Sequence, residues 1–245
     1  MENSRGSFRQ IRSTGEWVDT VLAVVAAGKI ITLDKLGDIY VTDPVTEESK
    51  LINNEKYTHS KFLFGVKNEV FNIDKDGTLY ATKVENGSWR QVSEFANYPA
   101  TSMGVDCGEN IVTVGAKSGR TFLTFPNGEV KKISESDYSQ TKFIFGGENY
   151  FFTIENNILY RTNPIDGTCK QIGETGAFAN TKIGTGMNDN IYTLETTGVI
   201  WETNGETGAY SKIIDHSFLD TQLMFAGNNM LYAILPTGCL YEISI

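Results

Sequence analysis

Residues 57–80 read YTHSKFLFGVKNEVFNIDKDGTLY, and variants of this stretch recur six times along the 245-residue chain. With Ser60 as the anchor, the matching positions are Thr20, Thr101, Thr141, Thr181 and Thr221, spaced by 40 or 41 residues. An interval this even marks one supersecondary unit copied again and again. Two residues past each anchor stands an apolar side chain: Leu22, Phe62, Met103, Phe143, Ile183 or Leu223. A short apolar run follows, such as 30–33 or 151–154, and then a turn closing on Gly37, Gly77, Gly119, Gly198 or Gly238, with Asn157 in the fourth copy. Three residues further comes an aromatic: Tyr40, Tyr80, Phe122, Tyr160, Trp201 or Tyr241.

Each copy reads as four short strands. The first alternates with period two, and the second is apolar throughout, as expected of a strand covered on both faces. The Asp-Lys-x-Gly type of turn calls for Gly because such turns need a positive φ. The third strand carries the aromatic and, two residues on, Thr42, Thr82, Thr124, Thr162 or Thr203. The fourth is short and more basic, as in 90–92 and 131–133. No sustained helical periodicity occurs.

Four strands in about forty residues is the size of a propeller blade. The sixth copy stops at Ile245 without a fourth strand, while Phe8-Arg9-Gln10-Ile11 matches Trp89-Arg90-Gln91-Val92 and lies in the same phase. The expected fold is all-β: a six-bladed β-propeller of four-stranded antiparallel blades, one domain over 1–245, with residues 8–12 completing the sixth blade and leaving no open edge between the termini.

Composition narrows the function classes. Hydrophobic residues are 40% and charged residues 21% of the chain, ordinary for a globular protein. A net charge of −9 disfavours nucleic acid and anionic membranes as partners. No run is apolar and long enough for membrane insertion, and the polar start MENSRGSFRQ shows no secretory signal. The chain is expected to be soluble, cytoplasmic or secreted without a visible signal peptide, with its oligomeric state open. Cys107, Cys169 and Cys239 fall at unrelated repeat positions and read as free thiols.

Three residues before each anchor stands a further aromatic: Trp17, Tyr57, Tyr98, Tyr138, Phe178 or Phe218. In an up-and-down blade this loop shares a face with the Asp-Lys-x-Gly turns. One reading is a sugar platform, a ring against the C–H face of a pyranose, with hydrogen bonds from Asp19, His59, Gln140, Asn180 and Asp220 one residue before their anchors. Ala100 is the exception. The other reading is a wedge between neighbouring blades, and the sequence leaves both open. The third-strand aromatics read as blade-to-blade packing. Asp34, Asp74, Glu155 and Glu195 read as turn residues, without the spacing of a calcium loop. His59 and His216 have no Cys or Glu at metal spacing, so neither a metal nor a cofactor is expected. No GxSxG occurs, and the repeat is not broken at any one reactive place. The chain is therefore expected not to be an enzyme.

YTHSKFLF at 57–64 and YSQTKFIF at 138–145 resemble the Trp-Ser-x-x-Lys-Phe-Leu-Phe blade openings of the tachylectin-type propeller lectins, and Gly77 to Tyr80 resembles that family's Leu-Tyr step. The six-bladed tectonin lectins are similar in blade size and number. The resemblance implies a propeller that binds N-acetylated hexosamines in repeated sites. Two departures stand out: the tachylectin type has five blades, and its opening Trp survives here only as Trp17. The expected function is a multivalent carbohydrate-binding protein that engages glycans or glycoconjugate surfaces, with six sites as the ceiling. The alternative is a protein–protein interaction scaffold.

Overall fold

The computed structural model describes residues 4–52, 57–94, 98, 100–134, 136–215 and 218–245. It is a six-bladed β-propeller, each blade a four-stranded antiparallel sheet, and the described residues contain no helix. Blade 2 is representative: strands Ser60–Val66, Glu69–Asp74, Leu79–Lys83 and Trp89–Gln91 pair in that order. Blade 6 takes its outermost strand, Phe8–Ile11, from the other end of the chain, with Phe8 opposite Ile243 and Ile11 opposite Leu240. The phase match between 8–11 and 89–92 is thus realised as a strand pairing. By contact density the chain divides into two compact units, Met1–Asn97 with Asp220–Ile245 and Tyr98–Leu219. The first holds blades 6, 1 and 2, and the second blades 3, 4 and 5.

The second strands are the buried ones. In Ile30–Leu33, Val70–Ile73, Ile111–Val114 and Ile191–Leu194 every residue is buried, because these strands lie mid-sheet with side chains committed to both faces. Apolar clusters form where adjacent blades face each other. One joins Ile31, Leu33 and Val41 of blade 1 to Leu63 and Val70 of blade 2. Another joins Phe145, Phe152 and Leu159 of blade 4 to Ile191 of blade 5.

A feature absent from the sequence reading is a β-bulge just after the anchor in blades 1 to 5, for example between Ser60 and Phe62. The extra residue bends the first strand. In blades 2, 4 and 5 it is an exposed lysine, Lys61, Lys142 or Lys182.

Glycine has a second duty in the turn column. Gly37 has φ +83°, and a Cβ there would lie 2.4 Å from the amide nitrogen of Thr58. The next blade's entry loop comes this close because the Tyr57 N–H donates to the Gly37 carbonyl at 2.8 Å. Tyr138 N–H donates in the same way to Gly119 O, and Phe178 N–H to Asn157 O. Asn157 has φ +63°, a left-handed conformation Asn tolerates, which is how it stands in for Gly. The three cysteines are free.

Candidate functional site

Four entry-loop aromatics, Trp17, Tyr57, Tyr138 and Phe178, are anchored twice: the backbone N–H docks on the preceding blade, and the ring enters the apolar cluster between blades. Trp17 packs with Ile11, Tyr232 and Leu240 of blade 6 and with Ile30 of blade 1. Tyr138 packs with Val112, Leu123 and Ile133 of blade 3 and lies 6.0 Å, centroid to centroid, from Phe151 of blade 4. The hydroxyls are satisfied by the third-strand threonines of their own blade: Tyr57 with Thr82 at 2.9 Å, Tyr98 with Thr124 at 2.8 Å, and Tyr138 with Thr162 at 3.1 Å. Burial raises the phenol pKa of Tyr98 and Tyr138, partly offset by those hydrogen bonds.

Trp17, Tyr98, Tyr138, Phe178 and Phe218 are all less than one-tenth exposed. They present no ring face on which a pyranose could stack, which corrects their expected role as platforms. Trp17, Tyr138 and Phe178, held in the apolar clusters between blades, cannot also face water. Tyr57 is half-buried and keeps contact with an open cleft.

The polar residues beside the anchors are placed differently. His59, Gln140, Asn180 and Asp220 are exposed, and Asp19 is half-buried. The backbone carbonyls of Asp19, His59 and Asn180 accept N–H groups from Lys35, Lys75 and Thr196 in the second turn of the same blade. Entry loop and second turn therefore share a face, as the up-and-down topology requires. Asp19 also pairs with Lys35 at 2.6 Å. His216 lies outside the described residues.

On blade 2 these parts enclose a cleft of about 230 Å³, lined by Tyr57, His59, Ser60, Asn72, Asp74, Tyr80 and Trp89. Asn72, almost fully buried, donates from Nδ2 to Ser60 Oγ at 3.1 Å. Asp74 shapes the turn through Oδ1, which accepts the N–H groups of Asp76 and Thr78. Its Oδ2 accepts no hydrogen bond from any described residue. Tyr80 and Trp89 meet edge to face, centroids 5.9 Å apart and planes at 74°, and Trp89 is 51% exposed. The cleft thus sets a half-exposed indole beside an acceptor carboxylate, an imidazole and an amide–hydroxyl pair.

Blade 1 has a cleft of about 380 Å³ lined at the equivalent positions by Trp17, Asp19, Thr20, Thr32, Asp34, Tyr40 and Ser49. The same repeat positions thus line a cleft in blades 1 and 2, with different residues in each. The third-strand aromatics were expected to pack blade against blade. All six are half-buried, and Tyr40 and Tyr80 also line the clefts. Trp89, Ser60, Asn72 and Asp74 were not read as a site. The signal for Trp89 was its alignment with Phe8, which puts a large aromatic on the outermost strand of two blades.

No protein-family model matches the chain, and no curated protein resembles it in sequence. Many solved structures share its fold. Regucalcin from Agrobacterium tumefaciens, described as a calcium-binding protein, superposes with a TM-score of 0.68 at 13% identity, over 98% of this chain and 94% of its own. Virginiamycin B lyase from Staphylococcus aureus superposes with a TM-score of 0.64 at 11% identity, over 98% of this chain and 99% of its own. A streptogramin B lyase gives 0.60 at 10% identity, over 98% of both chains. Such identities establish the fold alone. They nevertheless correct the expectation that the chain is not an enzyme: lyases superpose on it over the whole length, so the fold is no argument against catalysis. Among the described residues no three His, Cys, Asp or Glu side chains are grouped as metal ligands, and no helix is long and apolar enough to cross a membrane. The tachylectin resemblance rests on the sequence alone.

Proposed function

We propose that this propeller binds carbohydrate at its blade edges, with the blade 2 cleft as the reference site. The observation that supports the reading is the pairing of Trp89, half-exposed and braced edge-on by Tyr80, with the free acceptor oxygen of Asp74 and the exposed His59. A pyranose has an apolar C–H face and a rim of hydroxyls, and it needs an aromatic face plus a few fixed acceptors and donors. At about 230 Å³ the cleft lies below the roughly 300–1,000 Å³ of sites that engulf larger ligands. It suits one ring at the end of a glycan. The likeness of 57–64 to the tachylectin-type openings favours an N-acetylated hexosamine as that ring.

A single shallow site of this kind should bind weakly, because sugar hydroxyls already bond well to water. The test is a glycan array on the folded protein, followed by calorimetry with Trp89→Ala and Asp74→Asn. Loss of the stacking ring is expected to weaken binding at this site about tenfold, equivalent to roughly 1.4 kcal/mol. Asn at position 74 keeps an oxygen for the turn while removing the charge, and a smaller loss is expected. A blank array from well-folded protein, or full affinity in both variants, refutes the reading.

A further inference from the structure

The six copies do not carry the same chemistry at the two positions that make the blade 2 cleft a site. One position lies on the outermost strand, opposite the residue two beyond the third-strand aromatic. Trp89 occupies it opposite Thr82, Tyr210 opposite Thr203, and Phe8 opposite Ile243. In each of these blades the outer ring meets the third-strand ring in the same geometry. Tyr80–Trp89, Trp201–Tyr210 and Phe8–Tyr241 have centroids 5.7 to 5.9 Å apart and planes at 74° to 76°. The outer rings are 51%, 66% and 50% exposed in the order Trp89, Tyr210, Phe8. Blades 1, 3 and 4 have Ser49, Val130 and Cys169 at this position and lack the pair.

The second position begins the second turn, opposite the anchor. It is Asp34, Asp74, Glu155 and Glu195 in blades 1, 2, 4 and 5, and Gly115 in blade 3. In blade 6 the turn starts at Leu235, whose N–H bonds Cys239 O as the Asp74 N–H bonds Thr78 O. Glu155 of blade 4 accepts the Thr141 hydroxyl at 2.8 Å, and Glu195 of blade 5 accepts the Thr197 hydroxyl through Oε2 at 3.4 Å, leaving its Oε1 to a ligand. Only blades 2 and 5 therefore combine the exposed ring pair with a turn carboxylate. Blade 5 adds Asn180, exposed on the entry loop, and the indole N–H of Trp201, which is buried without a hydrogen-bond partner among the described residues.

We infer that the protein is divalent, with one complete pyranose site on blade 2 and a second on blade 5, while blade 6 keeps a ring pair without a turn carboxylate and the other three blades do not bind. The inference rests on the carbohydrate reading above and specifies its valency. Blades 2 and 5 belong to different compact units and stand three repeats apart in the chain. Two sites on one chain raise apparent affinity for a surface bearing many copies of the glycan.

The test is calorimetric titration with N,N′,N″-triacetylchitotriose on the wild type and on Trp89→Ala, Tyr210→Ala, Phe8→Ala and the Trp89/Tyr210 double variant. Two sites are expected in the wild type, one in each of the first two variants, two in Phe8→Ala, and at least a tenfold loss of affinity in the double variant. The replaced rings are at least half-exposed on outer strands, so the variants should fold, and thermal unfolding checks this. Tryptophan fluorescence gives an independent readout. Ligand should shift the emission of Tyr210→Ala through Trp89 and of Trp89→Ala through Trp201, while buried Trp17 stays silent. A stoichiometry of one, or of three or more, or loss of a site in Phe8→Ala, overturns the divalent assignment and leaves the carbohydrate reading standing. Absence of binding to any glycan overturns both.

Discussion

Replacing Tyr138 tests the wedge role of the entry-loop aromatics at a buried position. The ring is 3% exposed, packs against Val112, Leu123, Ile133 and Phe151, and directs its hydroxyl to Thr162, itself fully buried. Tyr138→Phe keeps the ring and removes one hydrogen bond, leaving the Thr162 hydroxyl without its partner in a dry site. That should cost about 1–2 kcal/mol, or a fall in Tm of roughly 2–8 °C for a chain of this size. Tyr138→Ala also empties the space between blades 3 and 4, and large aromatic deletions of this kind cost about 3–5 kcal/mol. The assay is urea unfolding followed by far-UV circular dichroism, with glycan binding measured in parallel on the folded variants. Tyr138→Phe should unfold at lower urea and bind glycan as the wild type does. The reasoning is refuted if Tyr138→Phe lies within about 0.3 kcal/mol of the wild type. It is equally refuted if Tyr138→Ala folds with near-normal stability but loses a binding site, because the ring would then be a platform.

Asp106 sits on the first strand of blade 3, and desolvation raises its carboxyl pKa to about 6. Because the folded state holds this proton more tightly than the unfolded chain, stability should fall as pH rises from about 4 to 6 and level off above. Asp106→Asn should flatten that slope and gain on the order of 1–2 kcal/mol at pH 7, measured by urea unfolding across pH; an unchanged slope counts against it. Gly146 faces the backbone of the neighbouring first strand, where a Cβ would fall 1.6 Å from the Asp106 carbonyl oxygen. Gly146→Ala must push two backbones apart, and a loss of more than about 3 kcal/mol is expected; normal stability would show that the strands can separate freely.

Much of the fold was legible because a propeller is a repeat, and a repeat shows itself by comparison of the chain with itself. The Ser60 column marked where each first strand begins, the apolar runs marked the second strands, and the likeness of 8–11 to 89–92 located the missing strand of blade 6. The anchor bulges left no such trace. The inserted residues, Val21, Lys61, Ser102, Lys142 and Lys182, share no residue type that demands a bulge.

The site was only partly legible. His59 and Asp19 were picked out through their place beside the anchor, and both line clefts. Of the two readings the sequence left open for the entry-loop rings, the wedge fits the five that are buried, while Tyr40 and Tyr80 of the third strand line clefts. An aromatic column in sequence reports that a flat apolar group is needed there, without reporting which side of the sheet is covered. Residue pattern and spacing alone determined the number of blades, their strand order and the joining of the two chain ends in one blade. Tertiary structure decided which rings face water. That depends on how closely adjacent blades pack, and so on where Tyr57 and Tyr138 find their threonine partners and where Trp89 is left outside.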